Sequence, residues 1–304
     1  WTPFMLRRLV HAAFRNGTEK DAERLVKVAM DPKFPEALRN EALRLLSTWT
    51  EPFPADQVTG HWRPLAKRDA NTIRPTLLAA LPELLKQENF VLTAALGWIE
   101  RYQLQSPALK ADDLKSFVKN TKLPAQARSI ALNLFIATKP EKLDAFLSEI
   151  MDDSSDEVSL TALTAIAKLS PESAIPALQA AVDSQNINRA QKTWRILATV
   201  SGDFVDAIFI EKLNKLRSNK GVSPSAIELL SAAKQRTHAS VKEAVDAFEK
   251  SLTVSSDPLA KWNISLEGGD ANNGGELFKS HPASECMRCH RAEEGHTVGG
   301  ETAP

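Results

Sequence analysis

An all-α fold is what this chain predicts, with stacked helical hairpins over residues 1–263 and a small second unit over 264–304. Three observations carry the expectation. Apolar residues recur on a 3.6-residue period, the mark of helices that bury one stripe. Pairs of a small then a large core residue recur at intervals of 31 to 53 residues along most of the chain. Alternating Val/Ile/Thr runs are scarce and there is one tyrosine, so no strand is expected.

Taken in order, Asp31 to Pro35 leads into Leu38, Ala42, Leu45 and Trp49, a turn followed by an amphipathic helix. Thr50 to Asn71, rich in Pro, Gly and Trp, is an inserted loop. Between Pro124 and Thr138, residues Ala127, Ile130, Ala131, Leu134 and Phe135 fall at i, i+3, i+4, i+7 and i+8, one apolar face. Lys139-Pro140-Glu141 and Ser170-Pro171-Glu172 each set a proline at the first helical position. About fourteen helices result.

Superposing Ala42-Leu43, Ala95-Leu96, Ala131-Leu132, Ala162-Leu163, Thr193-Trp194 and Ala226-Ile227 gives intervals of 53, 36, 31, 31 and 33 residues. The long first interval contains the inserted loop. The spacing suits HEAT-like or armadillo-like hairpins in an α-solenoid, though it is shorter than the usual repeat of about 40 residues. A compact helical domain without repeats is the alternative.

Composition excludes several classes. There are 38 basic and 38 acidic residues, and the two signs are interspersed, so no stripe invites nucleic acid. No apolar run approaches the roughly 18 residues of a membrane span. His11, His61 and His238 are isolated in sequence, and no phosphate-binding glycine loop follows a strand, so no catalytic residues are expected in this chain itself. Asp152, Asp153, Asp156 and Glu157 cluster at a helix junction, where capping accounts for them. Trp49, Trp62, Trp98 and Trp194 are expected in the core, with the lining of a groove as the alternative.

After Trp262 the composition changes: seven of the twelve glycines lie between Gly268 and Gly300. Within this unit stands Cys286-Met287-Arg288-Cys289-His290, which holds both cysteines of the chain. Thiols at this spacing can each add to one vinyl group of a porphyrin, and the adjoining His290 is then carried under the iron as its proximal ligand. One covalent haem c is therefore expected. Zinc is a competing reading, needing two further ligands from His281, His290 and His296, and a bare redox dithiol is another. Asp270-Ala271-Asn272 opens a short helix carrying Leu277 and Phe278, the latter a haem-packing candidate, and His281-Pro282 ends it. Such attachment occurs outside the cytoplasmic membrane, so the chain is expected to be exported, periplasmic in a bacterium, with its signal removed or upstream of Trp1.

Gly268-Gly269-Asp270-Ala271, Gly274, Glu276-Leu277-Phe278, His281-Pro282-Ala283, the Cys286–His290 string and Val298-Gly299 together resemble the C-terminal cytochrome c domain of haem-binding proteins of the planctomycete and verrucomicrobial type. The likeness covers about 37 residues. It implies a preceding HEAT-like helical region and, in many members, an upstream β-propeller like that of sugar dehydrogenases, which this sequence lacks. It also implies a proline carbonyl that accepts the proximal histidine's second N–H, a bond that fixes the ring and raises its basicity. Pro304 is the residue available for that role.

Fourteen residues follow His290, and no distal methionine or histidine stands among them at a suitable distance, so the haem-binding segment reads as incomplete. The expected function is electron transfer, by a covalent haem module on a helical-repeat docking scaffold in a larger periplasmic oxidoreductase; the resemblance implies that the whole protein acts on a sugar or alcohol. Its expected partner is a redox protein such as a dehydrogenase or β-propeller chain. A helical scaffold whose haem is sensory or structural is the alternative.

Overall fold

The computed structural model describes residues 2–87, 89–219, 222–253 and 259–280. The chain is all-α, 70% helix, with fifteen α-helices and no strand among the described residues. It divides into two compact units, Trp1–Phe146 with Asp153–Thr161, and Leu147–Asp152 with Ala162–Pro304. Among the described residues no helix is long and apolar enough to cross a membrane.

The first unit holds α1 (Pro3–Asn16), α2 (Glu19–Met30), α3 (Glu36–Ser47), α4 (Arg74–Leu84), α5 (Asn89–Tyr102), α6 (Ala111–Lys119) and α7 (Ala125–Ala137). Each start has a local cause. Thr2 caps α1, with Pro3 in its first turn, and Thr18 with Asp21 forms a reciprocal capping box on α2. Neighbours pair as α2 with α3 and α6 with α7, while alternate helices also stack, α3 on α5 and α5 on α7. The dividing line between the units runs through α8 (Leu143–Met151) and α9 (Asp156–Leu169).

The second unit continues with α10 (Pro171–Val182), α11 (Ile187–Thr199), α12 (Asp203–Ser218), α13 (Ala226–Ala233), α14 (Ala239–Thr253) and α15 (Ala271–Ser280). Its helices follow the same rule: α10 packs on α11 and α13 on α14, and α10 meets α12, α11 meets α13 and α12 meets α14.

All six superposed pairs lie on odd-numbered helices, α3 to α13. Five are fully buried, with Ala or Thr letting the neighbouring backbone approach and the large residue filling the space beyond. The sixth departs from the expectation. Ile227 is 45% exposed, and Leu229 and Leu230 supply the buried bulk of α13 instead. The proline at position 140 also misleads, because α8 starts at Leu143, three residues later, after Lys139 and Lys142 both take positive φ.

A sharper repeat emerges from local bonding. Asp31 Oδ1 accepts the Lys33 N–H at 2.9 Å, and Asn120 Oδ1 accepts the Lys122 N–H at 3.1 Å. Pro35 and Pro124 then lead into helices with nearly the same dihedrals. Four residues on, Arg39 Nε donates to Ala29 O at 2.9 Å and Arg128 Nε to Val118 O at 2.8 Å. Each arginine thus satisfies a carbonyl at the end of the preceding helix. The turn alone, a side-chain oxygen accepting the N–H two residues later, is common along the chain, at Asp56, Asp69, Ser106, Asp153 and Ser184, so it is the arginine that marks the equivalence.

The loop inserted after α3 folds back onto α1. Arg68 lays its guanidinium 4.9 Å from the Phe14 ring centre and 4.7 Å from that of Trp49, and Arg15 donates to Arg63 O at 2.9 Å. Trp49, Trp98 and Trp194 are core residues as expected, whereas Trp62 in this loop is 72% exposed.

Candidate functional site

Cys286, Cys289, His290 and Pro304 lie outside the described residues. The structure describes the approach to them, residues 259–280, which belongs to the second unit. The 3-10 turn Ala260–Ser265 packs on α13 and α14 and holds Leu259, Trp262 and Leu266 outward, all more than half exposed. Lys261 Nζ sits 5.2 Å from the Trp262 ring centre.

Gly268 follows, with φ +85° and its backbone pressed against the turn between α12 and α13. A Cβ here would lie 1.8 Å from Pro224 O, so no other residue fits without moving the backbone. Gln191 of α11 donates to Gly268 O at 2.7 Å and to Pro224 O at 3.1 Å. Two residues later Asp270 accepts the Asn273 N–H at 2.9 Å and opens α15, where a helix start is expected from the sequence. On α15 Leu277 is 48% exposed and Phe278 half-buried. Gln191 has no sequence signal; its partner lies 77 positions away.

Among the described residues one group has ligand atoms close enough for a metal: Asp203, Asp206 and His238, within 4.8 Å of one another. His238, isolated in sequence, is brought there by the start of α14. The charges nearby argue against a cation. Asp206 Oδ1 takes Arg236 Nε at 2.7 Å, and both aspartates stand in the first turn of α12, where the helix dipole already favours them. Arg236 also donates to Val200 O at 2.5 Å, closing the end of α11. The group is an ion pair and a helix start.

His11 is buried, its Nε2 2.7 Å from Glu41 Oε1, and Arg7 donates to the same carboxylate at 2.9 Å. Burial raises the Glu41 pKa, but the bonds from His11 and Arg7 outweigh it and hold the carboxyl below its ordinary value. The pair fastens α1 to α3, a packing role for His11.

The acids at the α8–α9 junction also resolve into structure. Asp153 accepts the Ser155 N–H and a bidentate bond from Arg128, whose Nη1 lies 3.1 Å from Asp153 Oδ1. The Asp153 bond to Ser155 closes a turn just ahead of α9 and does not reach the helix's own first N–H groups, and the buried arginine is a partner not expected from the sequence.

A scan against protein-family models matched none, and searches of curated proteins and of solved structures each returned no match.

Proposed function

We propose that this chain is an exported electron-transfer haem protein, in which residues 1–263 form a HEAT-like docking scaffold and residues 264–304 a c-type haem-binding segment. The observation that carries the reading is the Cys286-Met287-Arg288-Cys289-His290 string, which uses both cysteines of the chain and leaves none for a disulfide. Each Sγ–H would add across one vinyl group, forming a carbon–sulfur bond and passing the thiol hydrogen to the other vinyl carbon, with no oxidant consumed. His290 would hold the iron as its proximal ligand, with Pro304 the candidate acceptor for its second N–H. When bound, the iron porphyrin supplies a one-electron couple.

The equivalent turns at Asp31 and Asn120, the equivalent arginines 39 and 128, and the stacking of alternate helices within each unit support the repeat reading of the body. Phe278, half-buried on the helix that precedes the string, suits a porphyrin-packing role. A scaffold of this kind presents a long surface and no reaction of its own. Its partner in the proposal is a periplasmic dehydrogenase or β-propeller chain that delivers electrons.

The deciding experiment is an intact-mass measurement on the denatured chain, paired with a pyridine haemochrome spectrum. An added mass of one haem that survives denaturation is the expected result. An unmodified polypeptide from cells that mature c-type cytochromes would refute the assignment.

A further inference from the structure

We propose that Gln191 is a positioning residue for the approach to the haem-binding string: its carboxamide, with the bare Cα of Gly268, locks residues 259–280 at one fixed place on the helices of the second unit. The inference rests on the haem reading above. Gln191 stands half-buried on α11, one turn ahead of Trp194. Its Nε2 carries two hydrogens and donates both, to Gly268 O at 2.7 Å and to Pro224 O at 3.1 Å. Trp194 Nε1 donates to Ser225 Oγ at 3.2 Å, so α11 pins this turn at two successive residues. The chain that leads to the cysteines is then laid on the pinned turn.

Three segments distant in sequence therefore converge on one side-chain amide. Gly268 makes the convergence possible, since any Cβ would collide with Pro224 O. The helical body has contacts of its own. Helices α11 and α13 pack on each other, and Thr193, Trp194 and Leu197 of the first and Ala226 and Leu229 of the second are buried. What the clamp holds is the arriving segment, and Asp270 starts α15 only two residues beyond it. From a fixed start, a ten-residue helix sets a direction over about 15 Å. Electron transfer falls steeply with distance, so holding the approach in place would narrow the range of separations at which an iron carried beyond it meets a partner.

Glutamine suits the task chemically. Alanine removes both donors, and glutamate would turn a carboxylate toward two carbonyl oxygens. The full chain, matured with haem, is compared with Gln191→Ala, Gln191→Glu and Gly268→Ala by hydrogen exchange with mass-spectrometric readout. A second readout is the distance between the haem iron and a nitroxide carried on Arg217→Cys, an exposed position of α12. Each variant is expected to keep the haem mass and the protection of α11 to α13, while amides in 259–280 exchange about tenfold faster or more and the iron–nitroxide distances broaden. Unchanged exchange and unchanged distances in Gln191→Ala overturn the proposal. So does a loss of protection spread through the whole second unit, which would make Gln191 an ordinary stabilising residue. Should Gly268→Ala fail to fold, Gln191→Ala, which removes hydrogen bonds without a clash, still decides. A wild-type chain without haem sinks the haem reading by itself, and the exchange comparison still reports on the clamp.

Discussion

Replacing Arg128 by alanine is expected to destabilise the first unit by about 3–5 kcal/mol, the range for breaking a buried ion pair from one side. Arg128 is 3% exposed on α7, and its guanidinium is fully engaged: Nε on Val118 O at the end of α6, both terminal nitrogens on Asp153. Alanine leaves that carboxylate in a poorly solvated place with the Ser155 N–H as its remaining bond, and frees a helix-end carbonyl as well. Urea unfolding of the full chain, followed by far-UV circular dichroism, measures the loss. A shift worth less than about 1 kcal/mol would place the pair among surface bridges and defeat the argument. The double variant Arg128→Met/Asp153→Leu, which removes both charges and keeps the volume, should recover most of the stability.

The same pair predicts a pH signature with a definite sign. Burial raises the Asp153 pKa, but the hydrogen bonds from Arg128 and Ser155 and the guanidinium charge outweigh it, so the folded value lies below the ordinary one of 3.8. A carboxyl depressed in the folded state adds stability above its unfolded pKa of about 3.9, and that stability is lost as pH falls through the lower folded value. Wild type should therefore lose this contribution only below about pH 4. In Arg128→Ala the sign reverses: burial without a partner raises the carboxyl, so its cost is greatest at neutral pH and relieved by acid. The gap between wild type and variant should narrow as pH is lowered toward 3.8.

Much of the fold is legible in the sequence because helices announce themselves over short distances. Apolar spacing from Ala127 to Phe135 yields α7 directly, and Asp270 marks α15, since both signals act within one or two turns. Superposing small-then-large pairs finds every odd helix from α3 to α13, because close approach of two backbones demands a small residue at that place. It fails at Ile227, where an eight-residue helix buries its next turn instead. The turn at Pro140 misleads for a related reason. Lys139, with positive φ, stands directly after Thr138, the C-cap of α7, so Pro140 follows a helix end instead of opening the next helix, and neither Lys139 nor Lys142 signals its left-handed conformation in sequence.

What the sequence does not disclose is how distant residues combine. The Arg39 and Arg128 equivalence is readable in principle, since Pro35-x-x-x-Arg39-x-x-Ala42-Leu43 and Pro124-x-x-x-Arg128-x-x-Ala131-Leu132 share one spacing. Asp153 as the partner of Arg128 is not, since 25 residues separate them and the acid cluster has a local explanation that suffices. Gln191 is harder still. Nothing in an amphipathic stretch sets apart a glutamine that caps a glycine 77 positions ahead, and only the clash at Gly268 makes the contact intelligible.

Substituting the three proposed haem residues separately should dissect attachment from ligation, and the pattern is more telling than any one loss. With Cys286→Ala/Cys289→Ala no thioether can form, and the denatured chain should carry no haem mass at all. Either single change leaves one carbon–sulfur bond possible, so a covalent product persists at reduced yield with one vinyl group intact, which moves the haemochrome band toward longer wavelength. His290→Ala leaves both thiols in place: covalent mass should survive where maturation proceeds, while the proximal imidazole and its spectral signature disappear. Zinc predicts something different, because each of the three changes would remove a ligand and lower metal content alike, with no covalent mass in any sample. A redox dithiol predicts a third outcome, a two-hydrogen mass difference on reduction that either cysteine change abolishes and His290→Ala leaves. The residues differ in what they donate, two making carbon bonds and one a coordinate bond, and only the haem assignment makes the histidine separable from the thiols in the mass yet joined to them in the spectrum.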